Sequence, residues 1–227
     1  MRKIPFFFIL FIACLSLALY FYDHGKKSCT GTVIVLNGPS GAGKSSIQKA
    51  FQNLMLPNLW VKVGIDNLFD APMPDITPEN MNIWQSPNPI RWVETTTDES
   101  NSQVITLYVG DQGDRVAYAM NSAIAAFAQN GNNVIVDYIA YDQKWLGDLK
   151  QKLSSCKTYY IAVDIPLEIL EERERARGTS PSGHARSHYH TVYGPYNYDL
   201  RVNSAQNSPE EIAQQIKEII ENNRLPD

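Results

Sequence analysis

The eight residues Gly38–Ser45 constrain the fold of this chain more than any other feature of its sequence. They read GPSGAGKS, which fits the pattern G-x-x-x-x-G-K-[ST] of a phosphate-binding loop. The apolar, β-branched run Thr32–Asn37 precedes the loop, and apolar residues follow it at helical spacing from Lys44 to Met55. A strand before and a helix after are the setting this motif requires. They argue against a glycine-rich turn with a chance lysine.

The composition of the loop suits phosphate binding. Small residues let backbone N–H groups turn inward around phosphate oxygens, and the helix beginning near Lys44 adds its positive end. Lys44 can then reach the β- and γ-phosphates, and Ser45 can ligate Mg²⁺. We therefore expect ATP and Mg²⁺ as cofactors. The predicted nucleotide-binding residues are Gly38, Pro39, Ser40, Gly41, Ala42, Gly43, Lys44, Ser45 and Ser46.

Strands and helices alternate along the rest of the chain, which is typical of a doubly wound parallel α/β sheet. We predict three α/β/α layers over residues 30–227. The predicted strands are Thr32–Asn37, Trp60–Ile65, Asn133–Asp137, Thr158–Val163 and Arg201–Asn203. The predicted helices are Lys44–Met55, Arg115–Gln129, Gln143–Leu153, Pro166–Arg177 and one that opens at Ser208.

Two segments lack clear periodicity. The polar, proline-rich stretch Asp70–Gly113 predicts at most a short strand at Gln103–Val109, and long segments of this kind are usually functional or mobile. The second, Gly178–Tyr198, is expected to be irregular and to act as a lid over the site.

Two aspartates follow predicted strands, at the end of the sheet where ligands bind in this fold class. Asp137 follows Asn-Val-Ile-Val, the usual place for a carboxylate of the Mg²⁺ shell. Asp66 is then free to accept a proton from a substrate hydroxyl. The alternative is that either aspartate only caps the following helix.

Positive charge over the transferred phosphate is expected from Arg173 and Arg177, which are four residues apart and share a helix face. Arg186 is a weaker candidate for the same duty. The competing interpretation is a solvated helix with Glu171–Arg175 pairing. A metal site at His184, His188 and His190 is less favoured than contacts with substrate, phosphate or solvent, because no cysteine or carboxylate lies at fitting spacing. That makes six candidate basic or imidazole positions around one segment.

Residues 1–29 form a leader. Its nineteen residues 4–22 carry no charge and are long enough to cross a hydrocarbon core of roughly 30 Å. We expect a membrane anchor, or a signal segment if it is cleaved. Two basic residues lie on each side, so the side of the membrane that the body faces stays open. A buried hydrophobic helix is the remaining alternative.

Charge and cysteine content restrict the partners. Four of the 20 Lys and Arg residues lie before residue 30, against one of the 24 Asp and Glu residues, so the body is acidic. Broad nucleic-acid binding needs a field of basic residues and is not expected. Cys14, Cys29 and Cys156 show neither a CxxC pair nor metal-ligand spacing, and they do not indicate a redox compartment.

Several segments together resemble the chloramphenicol phosphotransferase-like P-loop kinases. They are GTVIVLNGPSGAGKSSIQKAFQ, WVKVGIDNLF, AIAAFAQNGNNVIVDY, ILEERERARG, YDLRVNS and SPEEIAQQI. The resemblance implies that Gly38–Ser45 binds ATP and that Asp66 activates the acceptor hydroxyl. It also matches the basic helix at Arg173 and Arg177. The chain departs from the family's antibiotic kinase at Tyr138, where that kinase has a second aspartate, in residues 71–112 and in the leader.

The expected function is ATP-dependent phosphorylation of a hydroxyl on a small-molecule acceptor, with Asp66, Lys44, Arg173 and Arg177 as catalytic residues and Ser45 and Asp137 as metal ligands. Three alternatives stay open. One is a toxin-like sugar-nucleotide kinase on the same fold, and another is a nucleotide-binding switch or ATPase that docks a partner. The third is a membrane-tethered binding module without catalytic activity.

Overall fold

A computed structural model describes residues 29–65, 74–75, 77–84, 86, 90–92, 96–99, 101–178 and 180–222. The strands are β1 Thr32–Asn37, β2 Trp60–Gly64, β3 Ile90–Trp92, β4 Thr96–Thr97, β5 Gln103–Val104, β6 Leu107–Val109, β7 Asn133–Tyr138, β8 Lys157–Asp164 and β9 Leu200–Asn203. The helices are α1 Lys44–Leu54, α2 Met81–Trp84, α3 Asp111–Gln129, α4 Gln143–Lys152, α5 Leu167–Arg177, α6 His184–His188 and α7 Pro209–Asn222.

Five parallel strands form the central sheet in the order β2-β7-β1-β8-β9. The strand that leads into the phosphate-binding loop, β1, therefore lies in the middle, with β7 and β8 on its two sides. This order confirms the predicted doubly wound parallel sheet. It also brings the carboxyl ends of β7 and β8 next to the loop.

Both faces of the sheet are buried, because alternate residues of β1 enter two different cores. Val33 and Val35 pack with helices α3 and α4, whereas Ile34 and Leu36 pack with α1, α5 and α7. All four side chains are fully buried. The result is the predicted three-layer arrangement of helices, sheet and helices.

The segments expected to be irregular contain more secondary structure than predicted. The interpretation of Asp70–Gly113 as having at most one short strand is wrong, because this part includes α2 and two small antiparallel pairs, β3 with β6 and β4 with β5. Helix α3 begins at Asp111, one turn before the predicted Arg115. Asp111 and Asp114 lie in that extra turn, where acidic side chains favour the helix dipole.

A disulfide joins Cys29 to Cys156, whose Cα atoms are 4.8 Å apart. Cys29 lies three residues before β1 and Cys156 directly precedes β8, and these two strands are paired. The bond therefore closes the amino end of the sheet, opposite the phosphate-binding loop.

Among the described residues, no helix combines the length and apolar character needed to cross a bilayer. The predicted anchor at residues 4–22 lies outside the described residues.

Candidate active site

The phosphate-binding loop turns sharply between β1 and α1, and glycine is required at three of its positions, Gly38, Gly41 and Gly43. Gly43 caps α1 at φ 87°, in the left-handed region that side chains disfavour, and no side chain caps the first turn. A Cβ atom on Gly38 would lie 2.6 Å from the carbonyl oxygen of Val163 on β8. The loop thus needs small residues both for its turn and for its contact with the neighbouring strand.

Lys44 is held inside the loop. Its Nζ atom donates hydrogen bonds to the carbonyl oxygens of Gly38 and Pro39, each over 2.9 Å, and lies 3.5 Å from Asp137 Oδ1. The side chain is 4% exposed. An ammonium group buried this far needs acceptors and a nearby negative charge, and the loop and Asp137 supply them.

Ser45 and Asp137, the two predicted metal ligands, are in contact. Ser45 Oγ donates a 2.6 Å hydrogen bond to Asp137 Oδ2. Two oxygen donors, one anionic, at the start of α1 and the end of β7 suit Mg²⁺, which prefers a few protein oxygens and keeps several waters. The chemistry of these donors therefore fits the expected cation.

The predicted base, Asp66, lies outside the described residues. Gly64, two positions before it, is the register partner of Asp137 in the pairing of β2 with β7. Strand β2 thus ends beside the strand that carries Asp137, as the sequence predicted. The role of Asp66 remains a prediction.

Arg173 and Arg177 of α5 lie near two different positions of the loop. Arg177 Nη2 donates to Ser40 Oγ over 2.9 Å. Arg173 donates from Nη2 to the carbonyl oxygen of Ser204 over 3.0 Å, and its Nη1 atom would lie 3.7 Å from a Cβ atom on Gly43. The two guanidinium groups lie beside a loop built to hold polyphosphate, which is where their predicted role would place them.

Arg186 does not lie against the loop. It pairs with Glu171 of α5 and with Asp98, which follows β4, so it joins α5 to the region between β2 and α3. These carboxylates raise the pKa of the Arg186 guanidinium, and the largest cause is the hydrogen bond that Arg186 donates to Glu171.

The three histidines separate into two groups. His184 and His188 are buried and cluster with Tyr141, with ring centroids 4.8 to 5.6 Å apart, whereas His190 is exposed on Tyr189. His188 Nε2 accepts the backbone N–H of Ser40 over 3.1 Å. In the part of the chain that is described, no group of three or more His, Cys, Asp or Glu side chains is arranged so that it could hold a metal ion.

Burial sets the charge of these two imidazoles. It lowers the pKa of His184 to about 4, helped by the nearby Arg177, and lowers the pKa of His188 well below its usual value. The proximity of His184 and the charge of Lys44 lower the pKa of His188 further. Both rings are therefore neutral at pH 7.

Sequence reasoning missed Glu174, a 2% exposed carboxylate on α5. It accepts hydrogen bonds from the backbone N–H groups of Gly183 over 2.8 Å and Ala185 over 2.7 Å. It thereby holds α6 against α5. Its position four residues after the buried Leu170 was the available signal, because residues four apart share a helix face.

Tyr138, the departure from the family pattern after Asp137, points into the core. Its side chain is fully buried and its hydroxyl donates to Asn121 Oδ1 over 3.1 Å. Burial raises the pKa of this phenol. The residue packs beneath α3 instead of adding a second carboxylate to the site.

Comparison with known proteins agrees with this geometry. The sequence profile of the chloramphenicol phosphotransferase-like proteins matches residues 31–221. Two Mycobacterium tuberculosis proteins with the provisional name O-phosphotransferase are each 29% identical over 189 residues, covering 83% of this chain and 81% of theirs.

Solved structures of kinases share the fold. The M. tuberculosis APS kinase in complex with AMPPNP and APS matches with a TM-score of 0.54 and 18% identity, over 85% of this chain and 99% of that one. A sugar kinase from Janibacter sp. HTCC2649 matches with a TM-score of 0.54 and 17% identity, over 85% and 95%. These likenesses confirm an α/β P-loop kinase fold.

Proposed function

Because this chain belongs to the chloramphenicol phosphotransferase-like family and is a phosphotransferase, we propose that it transfers the γ-phosphate of ATP to a hydroxyl of a small-molecule acceptor. The observation that carries the proposal is the contact of Lys44 and Ser45 with Asp137. It gathers one cation, one hydroxyl and one carboxylate where the loop would hold the polyphosphate.

In the proposed reaction, the covalent bonds that change belong to ATP and the acceptor, and the protein only receives a proton. The acceptor oxygen forms a bond to the γ-phosphorus while the bond between that phosphorus and the bridging oxygen breaks, and ADP leaves. The proton of the acceptor hydroxyl passes to the carboxylate of Asp66. Lys44, Arg173 and Arg177 stabilise the negative charge on the transferred group.

Ser45 and Asp137 would hold Mg²⁺, which when bound neutralises charge on the β- and γ-phosphate oxygens. The 2.6 Å contact between their oxygens places both donors at one point beside the loop. Lys44, 3.5 Å from Asp137 Oδ1, then helps to orient the carboxylate.

The part of the chain between β2 and α3 is the proposed source of acceptor contacts. It follows β2, whose end lies beside Asp137, and it reaches α6 through a backbone hydrogen bond from Ile105 N to Gly183 O over 3.2 Å. Because this segment is hydrogen-bonded to the start of α6, which contacts the phosphate-binding loop through His188, it can enclose an acceptor next to the phosphate.

An acceptor screen with labelled ATP and Mg²⁺ tests the proposal on the full chain in detergent. Label should appear on a hydroxylated small molecule, and its absence from every acceptor, with release to water only, would favour an ATPase or switch. A sugar nucleotide as the preferred acceptor would indicate the toxin-like alternative.

Two variants test the assigned chemistry. Lys44→Ala should abolish transfer, and Asp66→Asn should reduce kcat by about 10²- to 10⁴-fold, as expected for loss of a general base. Intact transfer by Asp66→Asn, with none by Lys44→Ala, would show that another group takes the proton.

We also propose that the domain resides on the oxidising side of a membrane to which residues 4–22 attach it. Disulfides persist in oxidising compartments, and the Cys29–Cys156 bond together with the apolar leader supports this side. A thiol-blocking reagent added to intact cells before denaturation should not modify Cys29 or Cys156. Modification of both cysteines by this reagent would place the domain in a reducing compartment.

A further inference from the structure

The backbone amide of Ser40 is satisfied by a side chain that lies 148 positions further along the chain. Its N–H donates to Nε2 of His188 over 3.1 Å, and both residues are buried. Since Ser40 Oγ accepts from Arg177, two separate segments hold this one residue of the phosphate-binding loop. The third position of the loop is therefore fixed before a nucleotide arrives.

The contact defines the tautomer of His188. Nε2 accepts a hydrogen bond, so it carries no proton, and the proton of the neutral ring lies on Nδ1. Nδ1 is 3.4 Å from Ser187 Oγ. The groups that face this ring are Lys44 of α1, Tyr141 after β7 and His184 of α6 itself.

Helix α6 holds His188 in place through its contacts with α5. Glu174 binds the backbone at Gly183 and Ala185, and Arg186 pairs with Glu171. A buried carboxylate with two backbone donors is costly to disturb, which makes α6 a firm support for His188.

We propose that His188 is a positioning residue for the phosphate-binding loop, whose Nε2 atom holds the amide of Ser40 so that the loop is shaped for polyphosphate. The inference rests on the proposed nucleotide-dependent function and goes beyond it, since it assigns a role to a residue outside the loop. His188 acts through Ser40 and not on the reacting atoms.

The physical basis is the need of a buried N–H group for an acceptor. Without His188, the amide of Ser40 must rotate toward water or toward another acceptor, and the loop must then be reordered when a nucleotide binds. Reordering draws on binding energy, so we expect nucleotide affinity to fall by roughly tenfold.

Two amide side chains separate this role from simple packing. The side-chain oxygen of glutamine reaches about as far as Nε2 of histidine, whereas that of asparagine reaches only as far as Nδ1. We expect His188→Gln to bind a Mg²⁺ complex of non-hydrolysable ATP within about twofold of the wild type, and His188→Asn to bind roughly tenfold more weakly. His190→Asn, at an exposed histidine two residues away, is the matched control.

Calorimetric titration of the full chain in detergent, with thermal unfolding in parallel, measures these affinities. No binding by the wild type would overturn the proposed function and this inference with it. Undiminished binding by a folded His188→Asn variant, or equal losses in the asparagine and glutamine variants, would overturn this inference alone.

Nitrogen NMR of the histidine rings keeps the inference testable if His188→Asn does not fold. In the nucleotide-free protein, the His188 signal, assigned by its loss in His188→Gln, should show an unprotonated Nε2 and a protonated Nδ1. A proton on Nε2, in either the neutral or the charged ring, would overturn the inference.

Discussion

Ser45 Oγ donates a hydrogen bond to Asp137 Oδ2 over 2.6 Å, and this contact joins the start of α1 to the end of β7. The same carboxylate lies 3.5 Å from Lys44 Nζ through its other oxygen. Asp137 thus contacts both the ammonium group of Lys44 and the hydroxyl group of Ser45.

Asp137→Asn should keep the hydrogen bond from Ser45 but lose the charge. We expect kcat to fall about a hundredfold or more, and the Mg²⁺ dependence of nucleotide binding to weaken, because a neutral amide is a poor magnesium ligand. Turnover and nucleotide affinity measured across a Mg²⁺ series check this. Asp164→Asn is the control, since Asp164 also ends a strand but pairs with Arg201. Equal losses in the two variants would contradict the assignment.

Arg173→Lys should lower kcat by about a hundredfold while changing the KM for ATP less. Lysine keeps the charge but loses the planar fork that binds phosphate oxygens in pairs. Arg175→Lys, on the exposed side of the same helix, should stay close to the wild type. Steady-state kinetics of the two variants give the comparison. If Arg173→Lys raised the KM for ATP and left kcat unchanged, this arginine would be assigned to ground-state binding.

Acid should destabilise the domain through His184 and His188. Both have a folded-state pKa below their unfolded value, so the unfolded state binds more protons as the pH falls. The free energy of unfolding should therefore be constant with respect to these two rings above about pH 6.5. It should decrease from there toward pH 4, by about 1.4 kcal/mol per pH unit for each ring.

Urea unfolding at several pH values measures this slope. The double variant His184→Gln/His188→Gln should flatten it, and His190→Gln should retain it. An unchanged slope in the double variant would assign the acid sensitivity to other groups.

Reduction of the Cys29–Cys156 bond should lower the free energy of unfolding by up to about 5 kcal/mol, because the bond closes a loop across a sequence separation of 127 residues. Denaturant unfolding with and without reductant checks the prediction, with Cys14→Ser as the control. Catalysis at 25 °C should persist in the reduced protein, since the bond lies at the end of the sheet away from Lys44. A stability that does not respond to reductant would show that the bond does not constrain the unfolded chain.

The central sheet and the loop could be predicted because their signals are local. An apolar run, a glycine-rich turn and a helical repeat occur consecutively in residues 32–54, and each indicates its element without reference to the rest of the chain. Asp137 could be placed for the same reason, because it directly follows an apolar run.

The remaining features depend on contacts between distant residues. Cys29 and Cys156 show no pairing signal in sequence, since only the adjacency of β1 and β8 brings them together. The contact of His188 with Ser40 likewise depends on the path of the chain between α5 and α6. The two short strand pairs before α3 are too brief to give a clear alternation.

The position of residue 29 determines how the proposed attachment through residues 4–22 would present the domain. Residue 29, where the leader joins the body, is bonded to the amino end of the sheet, and the phosphate-binding loop opens at the other end, about 20 Å away along a six-residue strand. In the proposed attachment, the membrane would therefore lie at the amino end of the sheet, and the nucleotide site would open away from it.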